Sequence, residues 1–312
     1  MAVPVCDPVD PQDIRRELTP DRLVREFRGV CIFSIDGDAS PAVMQEVGRI
    51  REQEFRSEGG GTGKSSDVDE YDRGPRAFRQ LVAWDPVALE IIGMYRYRPA
   101  GRALETAEDG SLSYTSPTAR LFEFSGEFFR DYLPVAVELG RSVVNRSAKR
   151  AVMGLFAVWC GLGAMVAERE DCRYFFGKFT TYPSYHPSAR AALLDFLTVH
   201  CADSDALMRP LPGLEPTVDA HGELPVFTGI DYDRDFDLLK RAVAQVGETV
   251  PPLVISYLGL SRTMRYCGTA INHHFGGVLE SAILIRVDDI DARTRSRFVD
   301  GHTTPRAGAL LW

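Results

Sequence analysis

The chain has 312 residues, 45% of them hydrophobic and 26% charged, ordinary globular composition and enough length for one large domain or two small ones. Its 36 basic and 44 acidic residues give a formal charge of −8, which argues against nucleic acid or another polyanion as the main partner. Six scattered cysteines, Cys6, Cys31, Cys160, Cys172, Cys201 and Cys267, contain no C-x-x-C pair. This argues against a zinc ribbon, a redox pair or a disulfide framework, and the expectation is reduced thiols in a cytoplasmic protein with no metal site. The opening "MAVPVCDPVDPQDIRREL" puts acids and prolines where a signal peptide would place basic residues and an apolar run. The longest uncharged apolar stretch, 152–167, is shorter than the ~20 residues of a spanning helix. It also carries several glycines, so it reads as a buried helix.

In chain order, "RGVCIFSI" (28–35) has the β-branched, apolar look of a strand and runs into the turn signal "DGDASP". A helix follows, with Ser40 as cap, Pro41 in the first turn, and Val43, Val47, Ile50 and the Glu54/Phe55 region at helical spacing. After a glycine-rich loop, "AFRQLVAWD" and "EIIGMYRYRP" predict an antiparallel hairpin. Residues 100–130 look irregular. Then come a strand at 133–144, a glycine-rich helix at 154–170, a strand in "CRYFFGKFTTYP" and a helix in "SARAALLDFLTVHC". Beyond a polar loop around "GLEPTVDAHGELP", a helix at 236–246 and two closing strands in "CGTAINHHFGG" and "LESAILIRVDDI" are expected. His273 and His274, as neighbours on a strand, would point to opposite faces and make a poor metal pair; His186 reads as a loop residue.

The stretch "GGGTGKSSDVDEYD" (59–72) looks at first like a phosphate-binding loop. That motif needs a glycine five residues before the final Gly-Lys-Ser, and Glu58 stands there instead, after a helix rather than a strand. Either the glycines form a plain solvent loop, or the charges around them belong to a site. Arg51 and Phe55 lie four apart on one helical face. Asp67, Asp69 and Asp72 follow, and such acids call for basic partners, for which Arg51, Arg96 and Arg141 are available.

Taken in order, Arg51-x-x-x-Phe55, Asp69-x-x-Asp72, Arg96 in "GMYRYRP" and "ELGR" with Glu138 and Arg141 resemble the acyl-homoserine lactone synthases. The wording "FRSEGGGTGKSSDVDEYD", "ELGRS", "YFFGKFTTYPSY" and "FGGVLESAILI" is similar, over nearly the whole chain, to the GNAT-fold bacterial aminolipid N-acyltransferases. Within these it looks most like the branch that N-acylates glycine in glycine-lipid synthesis, with the ornithine-lipid branch close behind. Two features depart from that branch: Cys160 stands where an acidic residue precedes the glycine of the buried helix, and the linker "NRSAKRAVMG" is short.

The resemblance implies an α/β GNAT fold with a mixed, mostly antiparallel central sheet flanked by helices. It would comprise an N-terminal extension (1–27), an N-acyltransferase core (28–204) and a C-terminal part (205–312) completing the same domain. It also implies transfer of a long, 3-hydroxylated or plain, acyl group from a thioester to the amine of glycine. The acceptor's ammonium must lose a proton before attack, and a nearby carboxylate speeds this by ~10²–10⁴-fold. Glu138 is the candidate base, or else the partner of a structural ion pair with Arg96 or Arg141. Arg141 is the candidate for the acceptor carboxylate, a planar bidentate match. Asp69 and Asp72 would hold the arginines, Arg51 and Phe55 would line the acceptor side, and amides of the Glu138 strand would be oxyanion donors.

GNAT enzymes that use coenzyme A carry an [RQ]-x-x-G-x-[GA] turn that meets the pyrophosphate, and "NRSAKRAVMGLF" does not match it. The expectation is therefore no permanently bound cofactor and a donor carried on the phosphopantetheine of an acyl carrier protein. The basic run Arg146, Lys149 and Arg150 would receive that acidic carrier, unless it is simply a solvated charge run. The lipid product makes peripheral contact with the inner membrane face a further expectation. An ornithine acceptor and a non-catalytic acyl-binding protein are the competing readings.

Overall fold

The computed structural model describes residues 3–169, 171–217 and 225–302. In chain order the regular elements are α1 (Pro11–Glu17), β1 (Leu23–Phe27), β2 (Val30–Ile35), α2 (Pro41–Ser57), β3 (Arg79–Asp85), β4 (Glu90–Pro99), β5 (Leu104–Thr106), β6 (Leu112–Tyr114), β7 (Phe122–Phe124), β8 (Ala136–Val144), α3 (Gly154–Glu168), β9 (Tyr174–Thr181), α4 (Pro187–Cys201), β10 (Met208–Pro210), α5 (Tyr232–Gln245), α6 (Pro252–Leu260), β11 (Arg265–Asn272), β12 (Val278–Arg286) and α7 (Ala292–Phe298). They form two units: residues 1–104, 134–173 and 292–312 in the first, 105–133 and 174–291 in the second. The divisions at 27/28 and 204/205 read from sequence do not coincide with these units.

In the first unit five strands run in the order β1-β2-β3-β4-β8, every neighbouring pair antiparallel. The predicted hairpin at 79–99 is the centre of this sheet. The strand expected at 28–35 is half of a second hairpin, β1–β2, turned by Arg28 and Gly29 in the left-handed region. Helix α2 begins at Pro41 as expected, but Ser40 makes no capping bond. Instead, the amides of Ala42 and Val43 donate to the Glu17 carboxylate at 3.0 and 2.8 Å, while Ser40 Oγ accepts from Arg22. A carboxylate at this helix N-terminus satisfies two orphan amides and favours the dipole.

Helix α3 packs on β1, β2, β3, β4 and β8. It sits close because Gly93 and Gly154 face each other: a Cβ on Gly93 would lie 2.8 Å from the Gly154 carbonyl oxygen. The stretch Ala151–Glu168 is long and apolar enough to cross a membrane by length and composition, and 56% of it is buried inside the protein. It is the core helix of this unit, as its glycines predict. Cys160 within it is fully buried, and burial pushes its thiol up to about 11.

In the second unit β9, β12 and β11 are neighbours and antiparallel, with one parallel bridge between Ala202 and Tyr266. Its aromatic core joins Phe176 of β9 to Tyr114, Phe124 and Phe128. His186 caps α4, its Nδ1 accepting from the Ser188 amide. His273 and His274 sit on the 3-10 turn between β11 and β12 rather than on a strand, and no metal-binding group occurs among the described residues. Most of the polar loop expected near 213–225, residues 218–224, lies outside the described residues.

Candidate active site

The site residues named from sequence all fall in the first unit. The glycine loop settles its own question. Thr62 N, Thr62 Oγ1 and Gly63 N donate to the Glu52 carboxylate at 2.9, 2.8 and 2.8 Å, and Arg56 grips the same group from Nε and Nη2. A buried side-chain anion thus occupies the place a phosphate would take. Burial alone would raise the Glu52 carboxyl, but these donors hold it below its ordinary value.

Past the loop the chain crosses α2 at Gly48, where a side chain would meet Ser66 and Val68, and the Asp67 amide donates to Gly48 O at 2.9 Å. The spacing Asp69-x-x-Asp72 then forms a reciprocal cap on a 3-10 turn: Asp69 Oδ1 accepts from Tyr71 N at 2.9 Å, and Asp72 Oδ2 from Asp69 N at 3.1 Å. Both carboxylates are therefore fixed by local backbone before any arginine arrives.

Asp72, with a fully buried side chain, accepts from Arg51 Nη1 at 3.2 and 3.3 Å, Gln80 Nε2 at 3.0 Å and Arg96 Nη1 at 3.4 Å. Arg51 also donates to Gln80 Oε1. Arg96 Nη1 reaches both oxygens of Asp69 at 3.0 Å. Burial would raise the Asp72 carboxyl, yet the guanidinium groups of Arg51 and Arg96 outweigh it and hold it well below the usual carboxylate range. Burial alone would lower Arg96, and Asp69, Asp72 and Asp67 together hold it above its ordinary value. The cluster of Arg51, Arg96 and Arg141 with Asp67, Asp69 and Asp72 is charge-balanced, which a buried network of this size requires.

On β4 and β8, Arg96 lies opposite Gly140 and Arg98 opposite Glu138, so all four positions share one face. Glu138 is 1% exposed. Across the strand pair its neighbour is Arg98, whose Nη2 stands 3.7 Å from Glu138 Oε2. Arg98 also donates to Arg76 O at 3.0 Å and lies over the Phe78 ring. The physical reason is register, since directly opposed residues meet.

A regular strand would turn Arg141, three residues on, to the other face. Between the pairs Met94–Val143 and Arg96–Gly140, however, β8 holds one residue more than β4, and Arg141 takes φ 51°. This bulge re-aims Arg141, which pairs with Asp67 through Nε at 2.7 Å and Nη2 at 3.1 Å and comes within 4.0 Å of Asp69 Oδ2. Phe55 lies beneath it, 5.4 Å from ring centroid to guanidinium. The network meets the outside mainly through Arg141, 16% exposed, and Asp69, 19% exposed. Arg51 is fully buried and reaches the cluster through Asp72 and Gln80.

A family profile for an acetyltransferase (GNAT) domain matches residues 50–159, the span that carries this network. The chain is 41% identical over 315 positions to a protein of Phocaeicola vulgatus named glycine N(alpha)-acyltransferase, a match covering 98% of this chain and 95% of the other. The chain belongs to this family. A Bacteroides thetaiotaomicron protein of the same name is 40% identical over 310 positions, covering 96% of this chain and 91% of its own length. No solved structure matches. The protein is a GNAT N-acyltransferase of the α/β class, with a mostly antiparallel sheet and flanking helices.

In this acyltransferase the segment between β8 and α3 carries the three cations expected to meet a carrier. Arg146 pairs with Glu54 at 2.6 Å and with Glu58, and Arg150 pairs with Asp85 at 3.5 Å; Lys149 is exposed. Residues overlooked in the sequence are Arg98, Gln80 and Glu52. Arg98 had a signal, its two-residue spacing from Arg96 on a strand. Glu52 had one too, Arg56 four residues on along the same helix; Gln80 had none, because Arg51 reaches it from α2, 29 residues back.

Proposed function

We propose that the chain moves a long acyl group from the thioester of an acyl carrier protein to the amine of glycine, the first step of glycine-lipid synthesis. The observation that carries this reading is the shared face of β4 and β8, where a buried carboxylate, Glu138, stands on the same bulged strand as Arg141. In the proposed reaction Arg141 holds the acceptor's carboxylate, and Glu138 takes a proton from its ammonium directly or through one water. The free amine then attacks the thioester carbonyl, the C–S bond breaks, and the thiol leaves with a proton. Low dielectric around Glu138 strengthens its interaction with a developing ammonium.

The carrier donor is supported by the backbone between β8 and α3. The amides of Arg146, Ser147, Ala148, Lys149, Ala151 and Met153 are engaged by Glu54 Oε1, Asn145 Oδ1, Asn145 O, Glu90 Oε2, Ala148 O and Arg150 O. Amides so occupied make a poor cradle for a pyrophosphate, whereas a carrier arm brings a single phosphate. Lys149, flanked by Arg146 and Arg150, is the proposed contact for the acidic carrier, and a lipid product suits work at the inner membrane face. The names of the two relatives favour glycine over ornithine, whose second amine would want a further acid.

The test is thiol release from acyl-carrier and acyl-coenzyme A donors, each with glycine and with ornithine. Fast release with carrier and glycine alone fits. Equal rates with coenzyme A would remove the carrier assignment, and a preference for ornithine would remove the acceptor assignment.

A further inference from the structure

We infer that Asp69 is the subsite for the acceptor's ammonium group, so that Asp69 and Arg141 together bracket an α-amino acid zwitterion. This rests on the acceptor reading given above and adds a residue and a rule of specificity to it.

Acceptor capacity and exposure together single out Asp69 among the three carboxylates. An ionised carboxylate offers about four lone-pair positions. Asp72 is filled: Arg51, Arg96, Gln80 and the Asp69 amide take both its oxygens, and its side chain is fully buried. Asp67 faces the Arg141 fork, accepting a hydrogen bond at Oδ1 and an ion-pair contact at Oδ2, and at 1% exposed it is closed to a solute. Asp69 differs from both. Its Oδ1 accepts from Tyr71 N and Arg96 Nη1, but its Oδ2 accepts from Arg96 Nη1 and only approaches Arg141 Nη2, at 4.0 Å. That distance is too long for a hydrogen bond, so Oδ2 keeps acceptor capacity on the side facing Arg141. Asp69 is also the one carboxylate of the three with appreciable exposure, 19%.

A small zwitterion seated across Oδ2 and the Arg141 guanidinium would complete an alternating ring of charge: carboxylate, ammonium, carboxylate, guanidinium. The ammonium and carboxylate of an α-amino acid are separated by one carbon, a span that suits two opposite charges 4.0 Å apart. A bare amine would lack the added contact at Arg141, and a bare carboxylic acid the added contact at Asp69, so only a zwitterion makes both charge-assisted bonds. Arg96, which holds Asp69, and Arg98, which holds Glu138, are two residues apart on one face of β4, ~7 Å along the strand.

The test compares wild type, Asp69→Asn and Asp69→Glu by steady-state kinetics with glycine, together with competitive inhibition by propionate, which has the carboxylate and lacks the amine. Asn keeps an oxygen for the Tyr71 amide, and thermal melting checks that each variant is folded. Loss of one charge-assisted bond predicts a KM for glycine about 10- to 100-fold higher in Asp69→Asn, kcat little changed, unaltered inhibition by propionate and partial recovery in Asp69→Glu. An unchanged KM would overturn the inference, as would a KM for glycine and an inhibition constant for propionate that rise together, since a merely structural role moves both. Wild-type turnover of glycine tests the parent reading separately: failure there is seen in the unmutated enzyme, whereas failure of this inference is seen in the ratio of variant to wild type.

Discussion

Replacing Asp72 by Asn removes the charge on which two buried arginines converge, and the consequence can be worked from the distances. Arg51 Nη1 lies 3.2 Å and Arg96 Nη1 3.4 Å from Asp72 Oδ1. At an effective dielectric constant near 20, the first contact alone corresponds to about 5 kcal/mol of attraction before desolvation is subtracted. The variant leaves three guanidinium groups facing two carboxylates in a cluster that water scarcely reaches. Breaking a buried pair by removing one partner costs about 3–5 kcal/mol, a large share of the roughly 5–15 kcal/mol that holds a domain folded. In urea, with a slope of about 1–3 kcal/mol per molar, the midpoint should fall by about 1–5 M. Adding Arg51→Met restores charge balance and should recover part of the loss, a coupling that a double-mutant cycle reads directly. A loss below about 1 kcal/mol, the level of an exposed ion pair, would refute the account of Asp72 as the centre of the network.

Glu138→Gln should lower turnover by ~10²–10⁴-fold while the protein stays folded; Arg98→Gln, which breaks the same pair but keeps the carboxylate, should lose much less. Equal losses in the two variants would make Glu138 a structural partner only. Acid should weaken the fold in a definite window. The Asp72 carboxyl is depressed in the folded chain, because Arg51 and Arg96 outweigh the opposing effect of burial. The stability it contributes is therefore complete above the unfolded value of about 3.9 and is lost as pH falls below it. Urea melts between neutral pH and pH 2 should show this decline in wild type and a flatter profile in Asp72→Asn; identical slopes would contradict it.

Local patterns carried the fold well. Apolar, β-branched runs marked β3, β4, β8, β9 and β12, because each is a strand with one or both faces buried. What a single sequence could not show was the work of long-range partners. Ser40 has the look of a helix cap, but Glu17, 23 residues upstream, reaches the amides first. Three glycines before Gly-Lys-Ser look like an anion site; the amides of Gly59 and Gly60 instead close the end of α2, and Thr62 and Gly63 after them bind an internal anion, Glu52. The pairing of Glu138 with Arg98 follows from strand register, which depends on which residues of β4 and β8 stand opposite. Arg141 shares the site because of one extra residue in β8, a bulge that no composition rule marks. The Asp69-x-x-Asp72 motif was legible because its geometry is local: each carboxylate caps the other's turn.

The most direct measurement of the central claim supplies the purified chain with a long-chain acyl-carrier thioester and 15N-labelled glycine, and examines the lipid extract by mass spectrometry. The account predicts an N-acylglycine carrying the label, in amounts matching the thiol released and sharply reduced in Glu138→Gln. Thiol release without labelled N-acylglycine, or product formation undiminished by that substitution, would contradict it.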